Sequence, residues 1–197
     1  MPRNVPLEPA EEKTFKRDLV GLIPHLRAFA RTLCGDAAAA DDLAQDAVMK
    51  AWDARSSFQM GTNMKAWTFM ILRNQFYSEK RRSWRSTQLD QEAAERTLVA
   101  VDDPESPVAL DEMRLAMKML PEEQREALIL VGAGGFAYEE AADICGCAVG
   151  TVKSRVSRAR RALHGILAQG AYDRDGAPAG EAMGSILAHA DRLSGPR

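Results

Sequence analysis

The chain is poor in the features that staple small proteins or carry covalent chemistry. Its 197 residues include only three cysteines, Cys34, Cys145 and Cys147. An odd count without a CxxC pair gives no disulfide framework and points to a reducing compartment, so a cytoplasmic location is expected. No apolar run approaches the roughly 18 residues of a membrane span, so no membrane is expected as a partner. The first stretch, "MPRNVPLEPAEEK", has no apolar core region, and neither a signal peptide nor an anchor is expected there. His25, His164 and His189 are scattered and "CGC" has no metal-ligand spacing. Cys145 and Cys147 read instead as small buried hydrophobes. No nucleophile, base and orienter arrangement stands out, and "GAGGF" lacks the strand and lysine of a phosphate loop. No catalysis, metal or other cofactor is expected.

Alternation of apolar and polar residues is also almost absent, and with it the signal for sheet. Period-3.6 patterns dominate, so the fold class is all-α. A first helix is expected over Glu11–Leu33, with Pro24 kinking or splitting it. Gly35 and Asp36 punctuate, "AAAADDLAQDAVMKAW" is the second helix, and "ARSSFQMGTN" is a loop. Asn63 then caps a long helix reaching about Arg85. In the second half, helices are expected at Val108–Met119, at Pro121–Val131 with proline in its first turn, over "YEEAADIC", and from about Thr151 to Leu167. The chain is long enough to bury a core without staples, which become necessary mainly below about 40 residues.

The domain organisation follows from where this periodicity fails. Residues 11–87 form one small helical domain and residues 107–168 a second. Residues 88–106 are a flexible acidic linker, broken most clearly at "DDPESP". Residues 169–197 are a loose tail rich in Gly, Ala and Pro, in which "EAMGSILAHADRL" has the spacing of a weakly docked helix.

The excess of charge of one sign is small, with a formal net charge of -2, but the charges are unevenly distributed. Asp36, Asp41, Asp42 and Asp46 form an early acidic block, and Arg96 alone opposes the acids between Asp90 and Glu112. Two basic islands stand against this background. "RNQFYSEKRRSWR" is the first, and "TVKSRVSRARRAL", with five cations and no acid, is the second. Separate basic islands in an acidic chain suggest two contacts with a polyanion.

The second island is the later helix of a helix–turn–helix pattern, "YEEAADIC", "GCAVG", "TVKSRVSRARRAL". At 100° per residue Val152, Val156, Ala159 and Leu163 share one face, while Lys153, Ser154, Ser157, Arg158 and Arg161 share the other. An apolar ridge backed by a basic, hydroxyl-bearing face suits a major groove, where lysine and arginine meet phosphates or guanine and serine reads several base edges. Thr151 and Arg155 belong to the same candidate surface. A merely solvated basic helix is the competing reading, and the small-residue helix and glycine turn before it weigh against that.

The first island has aromatics among its cations. Trp67, Met70, Ile71, Asn74 and Tyr77 share helical spacing, and Phe76, Tyr77 and Trp84 alternate with Lys80, Arg81 and Arg82. Flat rings beside cations are what unstacked bases need. Phe69, Met70 and Ile71 read as core, whereas Trp84, between Ser83 and Arg85, is assigned to base stacking. In "DDLAQDAVMKAW", Ala44, Ala47, Val48 and Ala51 form a packing face, and Asp42, Gln45, Asp46 and Met49 lie opposite. That opposite face is either a docking spot for a basic, partly apolar surface or a solvated face with one methionine.

With both islands in place the sequence resembles the extracytoplasmic-function (ECF) sigma factors of bacterial RNA polymerase. "DDLAQDAVMKAW" and "MKAWTFMILRNQFYSEKRR" look like the family's second conserved region; "LPEEQREALILV" and "YEEAADICGCAVGTVKSRVSRARRAL" look like its fourth. Within the family it is most similar to the general stress response type of alphaproteobacteria, called EcfG. The resemblance implies that the first domain binds the β′ clamp of core polymerase and the melted −10 promoter element. The second would bind the −35 element as duplex and the β flap. It places Asp42, Gln45, Asp46 and Met49 in the clamp-binding segment, and Asn74, with the loop Ser56–Thr62, at a flipped −10 base. Lys153, Ser154, Ser157 and Arg158 match −35 readers. It further implies an anti-sigma partner of the NepR kind. Ala137, Ala141 and Ala148 depart from the pattern, which more often has serine, a larger aliphatic and proline there. Two other readings, a sigma-like mimic that titrates an inhibitor and an ordinary helix–turn–helix repressor, fit less well. The first should carry a receiver domain, and the second has no use for the melting helix.

Overall fold

The structure, a computed structural model, describes residues 7–87 and 108–168, with side chains over 7–83 and 112–168. The expected linker at 88–106, the tail with its segment 181–193, and the side chain of Trp84 lie outside the described residues. Among the described residues there are seven α-helices, one 3-10 turn and no strand. The chain divides into two compact units, one built from the first three helices and one from the last four.

In the first unit α1 (Pro9–Cys34), α2 (Ala37–Asp53) and α3 (Met64–Thr87) pack pairwise against one another. The α1 stripe of Phe15, Leu19, Leu26, Phe29, Ala30 and Leu33 is buried. Of the two expected effects of Pro24, a split does not occur, since it lies inside one continuous helix. Proline deprives the Val20 carbonyl of its usual donor, but Pro24 and Val20 are both exposed, so water can take that bond while the stripe on the far side holds both turns in place. Gly35 ends α1 in the left-handed region at φ 74°, and Asp36 starts α2 by accepting the Ala39 N–H at 2.8 Å.

Small side chains on α2 set the packing distance. Ala40, Ala44, Ala47 and Ala51 are buried with Leu43, which lets α1 and α3 approach closely. Beyond α2, the 3-10 turn Arg55–Ser57 leads to Phe58, whose ring meets Phe15 at 5.6 Å and Trp67 at 5.0 Å. Asn63 caps α3 as expected, its Oδ1 accepting the Ala66 N–H at 3.0 Å.

The second unit consists of α4 (Val108–Met119), α5 (Glu122–Gly132), α6 (Tyr138–Cys145) and α7 (Val149–Ala168). Pro121 is the cap before α5 rather than part of its first turn, and its carbonyl accepts from Gln124 and Arg125. "GAGG" is a packing turn. A Cβ on Gly134 would lie 2.6 Å from the Leu130 carbonyl oxygen, and Gly135 has φ 68°. This turn drops Phe136 into the core at 5% exposure. Gly146, at φ 62°, makes the bend between α6 and α7. Ala116 and Leu120 of α4 pack on Ala159 and Leu163 of α7.

The α6 cap is half of a reciprocal pair. Glu140 accepts the Ala137 N–H at 2.9 Å, but alanine has no oxygen to return to the Glu140 N–H. Ala137→Ser should therefore stabilise the protein by about 1 kcal/mol, seen as a higher urea midpoint with an unchanged slope. A midpoint that stays put would mean solvent already serves that N–H equally well.

Candidate nucleic-acid interfaces and a docking groove

Helix α7 has two opposed faces. Val152, Val156, Ala159 and Leu163 are each 2% exposed or less, so the ridge expected from the sequence is the seam against the rest of the unit. Lys153, Ser157, Arg158 and Arg161 are exposed on the other side. Thr151 and Ser154 are half-buried, and the Ser154 hydroxyl donates to the Thr151 carbonyl at 2.9 Å, leaving its lone pairs outward as acceptors. Lys153 reaches back over the Tyr138 ring, 5.6 Å from its centroid. Arg155 is placed differently from its sequence assignment: its guanidinium pairs with Glu123 of α5 and donates to the Cys147 sulfur. The Arg155 side chain is 17% exposed, so it ties α5 and the turn to α7 rather than extending the outer face.

Helix α3 carries cations and rings at i, i+4 spacing. The Arg73 guanidinium lies 4.5 Å from the Tyr77 ring centroid and the Lys80 ammonium 5.8 Å from that of Phe76. Phe76 and Tyr77 meet edge to face at 5.2 Å. Asn74, Lys80, Arg81 and Arg82 are exposed along this helix. Trp67 is not part of that surface. It is half-buried and packs against Phe15 and Phe58, so the helical spacing that grouped it with Asn74 and Tyr77 reflects a core contact at this end. Phe69 is core, stacked 4.8 Å from Phe29. In the loop Ser56–Thr62, Phe58 is buried as an anchor while Gln59, Gly61 and Thr62 face solvent.

On α2, Asp42, Gln45, Asp46 and Met49 are all exposed, Met49 to 58%. Met49 borders a groove of about 290 Å³ between α1 and α2, lined by Lys16, Leu19, Val20, Val48, Met49, Trp52 and Asp53. Sequence reasoning missed Val20 and Trp52 as members of this surface. Val20 stands off the buried stripe of α1, which was a usable sign, but only packing brings it beside Trp52. The groove is apolar with one cation and one anion at its edge, and suits a partner with apolar side chains rather than a small polar ligand.

Other chemistry is not assembled here. Burial, with the Glu79 and Asp36 carboxylates adding to it, pushes the Cys34 thiol up to about 11, so it is protonated at neutral pH and not nucleophilic. Among the described residues no group of three or more His, Cys, Asp and Glu is gathered as a metal site. No described helix is long and apolar enough to cross a membrane.

Comparison with known proteins places this arrangement. Residues 21–86 match the family described as Sigma-70 region 2, and residues 110–163 match Sigma-70, region 4. The ECF RNA polymerase sigma factor EcfG of Rhodopseudomonas palustris is 47% identical over 154 residues, covering 78% of this chain and 85% of that one. The ECF RNA polymerase sigma-E factor of Escherichia coli is 33% identical over 135 residues, 62% of this chain and 70% of that one. Among solved structures, the sigma factor RpoE of Bartonella quintana, in complex with the anti-sigma factor NepR, superposes with a TM-score of 0.72 at 47% identity. That match spans 82% of this chain and 99% of the other. Two helical units with these motifs in this order, and this extent of identity, make the chain a member of the ECF sigma factors of RNA polymerase.

Proposed function

We propose that this protein is an alternative sigma factor without catalysis of its own. It joins core RNA polymerase in the cytoplasm and directs it to promoters of general stress response genes. The observation that carries the reading is the two-faced α7: a fully buried ridge behind exposed Lys153, Ser157, Arg158 and Arg161. A helix held so firmly from behind can enter a major groove without deforming. In this reading residues 107–168 bind the −35 element and the β flap, with Lys153, Ser154, Ser157 and Arg158 on bases or phosphates and Arg161 on the backbone. Residues 11–87 bind the β′ clamp and the melted −10 element.

For melting, the exposed amide of Asn74 can both donate and accept toward an extruded base, and Lys80, Arg81 and Arg82 hold the strand. Tyr77 supplies ring surface under the Arg73 guanidinium, as single-strand binders do. For polymerase, the stripe Asp42, Gln45, Asp46 and Met49 beside the α1–α2 groove combines negative charge with apolar surface, which suits a basic, partly apolar clamp. An inhibitor of the NepR kind is the expected regulator. Each unit has its own core and its own working surface, so an inhibitor that bridges both gains affinity because its second contact is intramolecular.

Run-off transcription with purified core polymerase on a general stress promoter tests the whole reading; no transcript above core alone would end it. Arg158→Ala should weaken binding to a −35 duplex by about 1–3 kcal/mol. Equal losses on a scrambled −35 sequence would make Arg158 a phosphate clamp only. Asn74→Ala should slow open-complex formation on duplex promoters and alter −10 base preference, measured by permanganate footprinting across −10 variants. The assignment is lost if preference and rate both stay as in the parent. Titrated against a labelled NepR-type inhibitor, the intact chain should bind much more tightly than residues 1–86 or 107–197 alone. Equal affinity for either half would rule out bridging.

A further inference from the structure

Gln75 follows Asn74 on α3 but faces the other way, into the seam with α2, where it is 4% exposed. Its Nε2 donates to Asp46 Oδ2 on α2 at 2.8 Å and to Glu79 Oε1, one turn along α3, also at 2.8 Å. The direction of the amide is settled by these partners, since the opposite orientation would set its oxygen against two carboxylates. That oxygen, Oε1, is buried without a hydrogen-bond partner. A buried carbonyl left unmatched costs stability, and a methionine or leucine could fill the same seam without that cost. Packing therefore does not account for an amide here. Its hold on Asp46 does.

We infer that Gln75 is a positioning residue for polymerase docking: it clamps one oxygen of Asp46 from behind, so that the carboxylate stands in line with Asp42, Gln45 and Met49 and offers its other oxygen to the partner. The inference rests on reading the exposed α2 stripe as the polymerase-binding face. A hydrogen bond to a charged acceptor is among the stronger neutral-donor contacts, and a carboxylate already ordered by one loses less freedom on binding. Because Gln75 and Asn74 are neighbours on α3, the same bond keeps the docking face of α2 in register with the strand-facing side of α3.

The test measures affinity of the full chain for purified core RNA polymerase by competition with a labelled parent protein, alongside thermal unfolding of each variant. Gln75→Met and Asp46→Ala should each weaken binding about three- to tenfold, the range for loss of one ordinary hydrogen bond. The double variant should bind no worse than Asp46→Ala alone, because the first residue acts through the second. Gln75→Leu, which fills the seam without a donor, should reproduce the loss seen with methionine and guards against a folding defect peculiar to either. Glu79→Gln, which leaves the bond to Asp46 in place, should bind within about twofold of the parent, the usual spread for a surface change. Additive losses in the double variant, or full affinity in both Gln75 variants while Asp42→Ala and Asp46→Ala are impaired, would overturn the positioning role. If Asp42→Ala and Asp46→Ala both bind as the parent does, the polymerase face itself has been misassigned, and the inference falls with it.

Discussion

The burial of four side chains on one helix governs what the second unit can do. Val152, Val156, Ala159 and Leu163 recur at helical spacing, and their contacts with α4, α5 and α6 leave α7 no freedom to roll about its axis. A roll of one residue position, about 100°, would turn either Lys153 or Arg158, depending on its sense, into the core and set the valines toward water. Burying those apolar side chains is worth roughly 1.5–3 kcal/mol for each large one, far more than any surface charge gains by moving. The orientation of the reading face is thus a by-product of core packing, and the N-terminal half of the helix is further held by the left-handed Gly146 before it and by Arg155 bound to Glu123 and Cys147.

The first unit solves a related problem with small residues. Alanines at positions 40, 44, 47 and 51 leave α2 thin on its inner side, while Asp42, Gln45, Asp46 and Met49 stand exposed on its outer side. Close approach has a second effect. It brings Gln75 within hydrogen-bonding distance of Asp46, and Arg27 of α1 within 3.2 Å of Asp41. Larger side chains at the alanine positions would push the helices apart and separate both pairs. The α1–α2 groove beside Met49 lies along the same closely packed pair, with Val20 and Trp52 at its rim.

Departures from the sequence expectations share a cause. Trp67 falls on the helical stripe of Asn74 and Tyr77, yet Phe15 and Phe58 take its ring into a cluster. Arg155 belongs by composition to the basic island, yet Glu123 and Cys147 draw it inward. Pro24 reads as a kink or a split, and the split is avoided where burial on the far side of α1 carries the helix through. In each instance a local rule met a partner from elsewhere in the chain.

What the sequence determined by itself is whatever depends on neighbours within a few turns. That includes the helical class, the caps at Asp36 and Asn63, the turn at Gly146, the buried ridge of α7 and the opposite exposure of Lys153 and Arg158. Helical geometry makes these the consequence of spacing alone. Tertiary structure decided which charged and aromatic groups remain available. Gln75 meets Asp46 across 29 residues and Arg155 meets Glu123 across 32, separations over which no periodicity carries information. The groove beside Met49 likewise belongs to no single segment, since its walls come from two helices that only packing brings side by side.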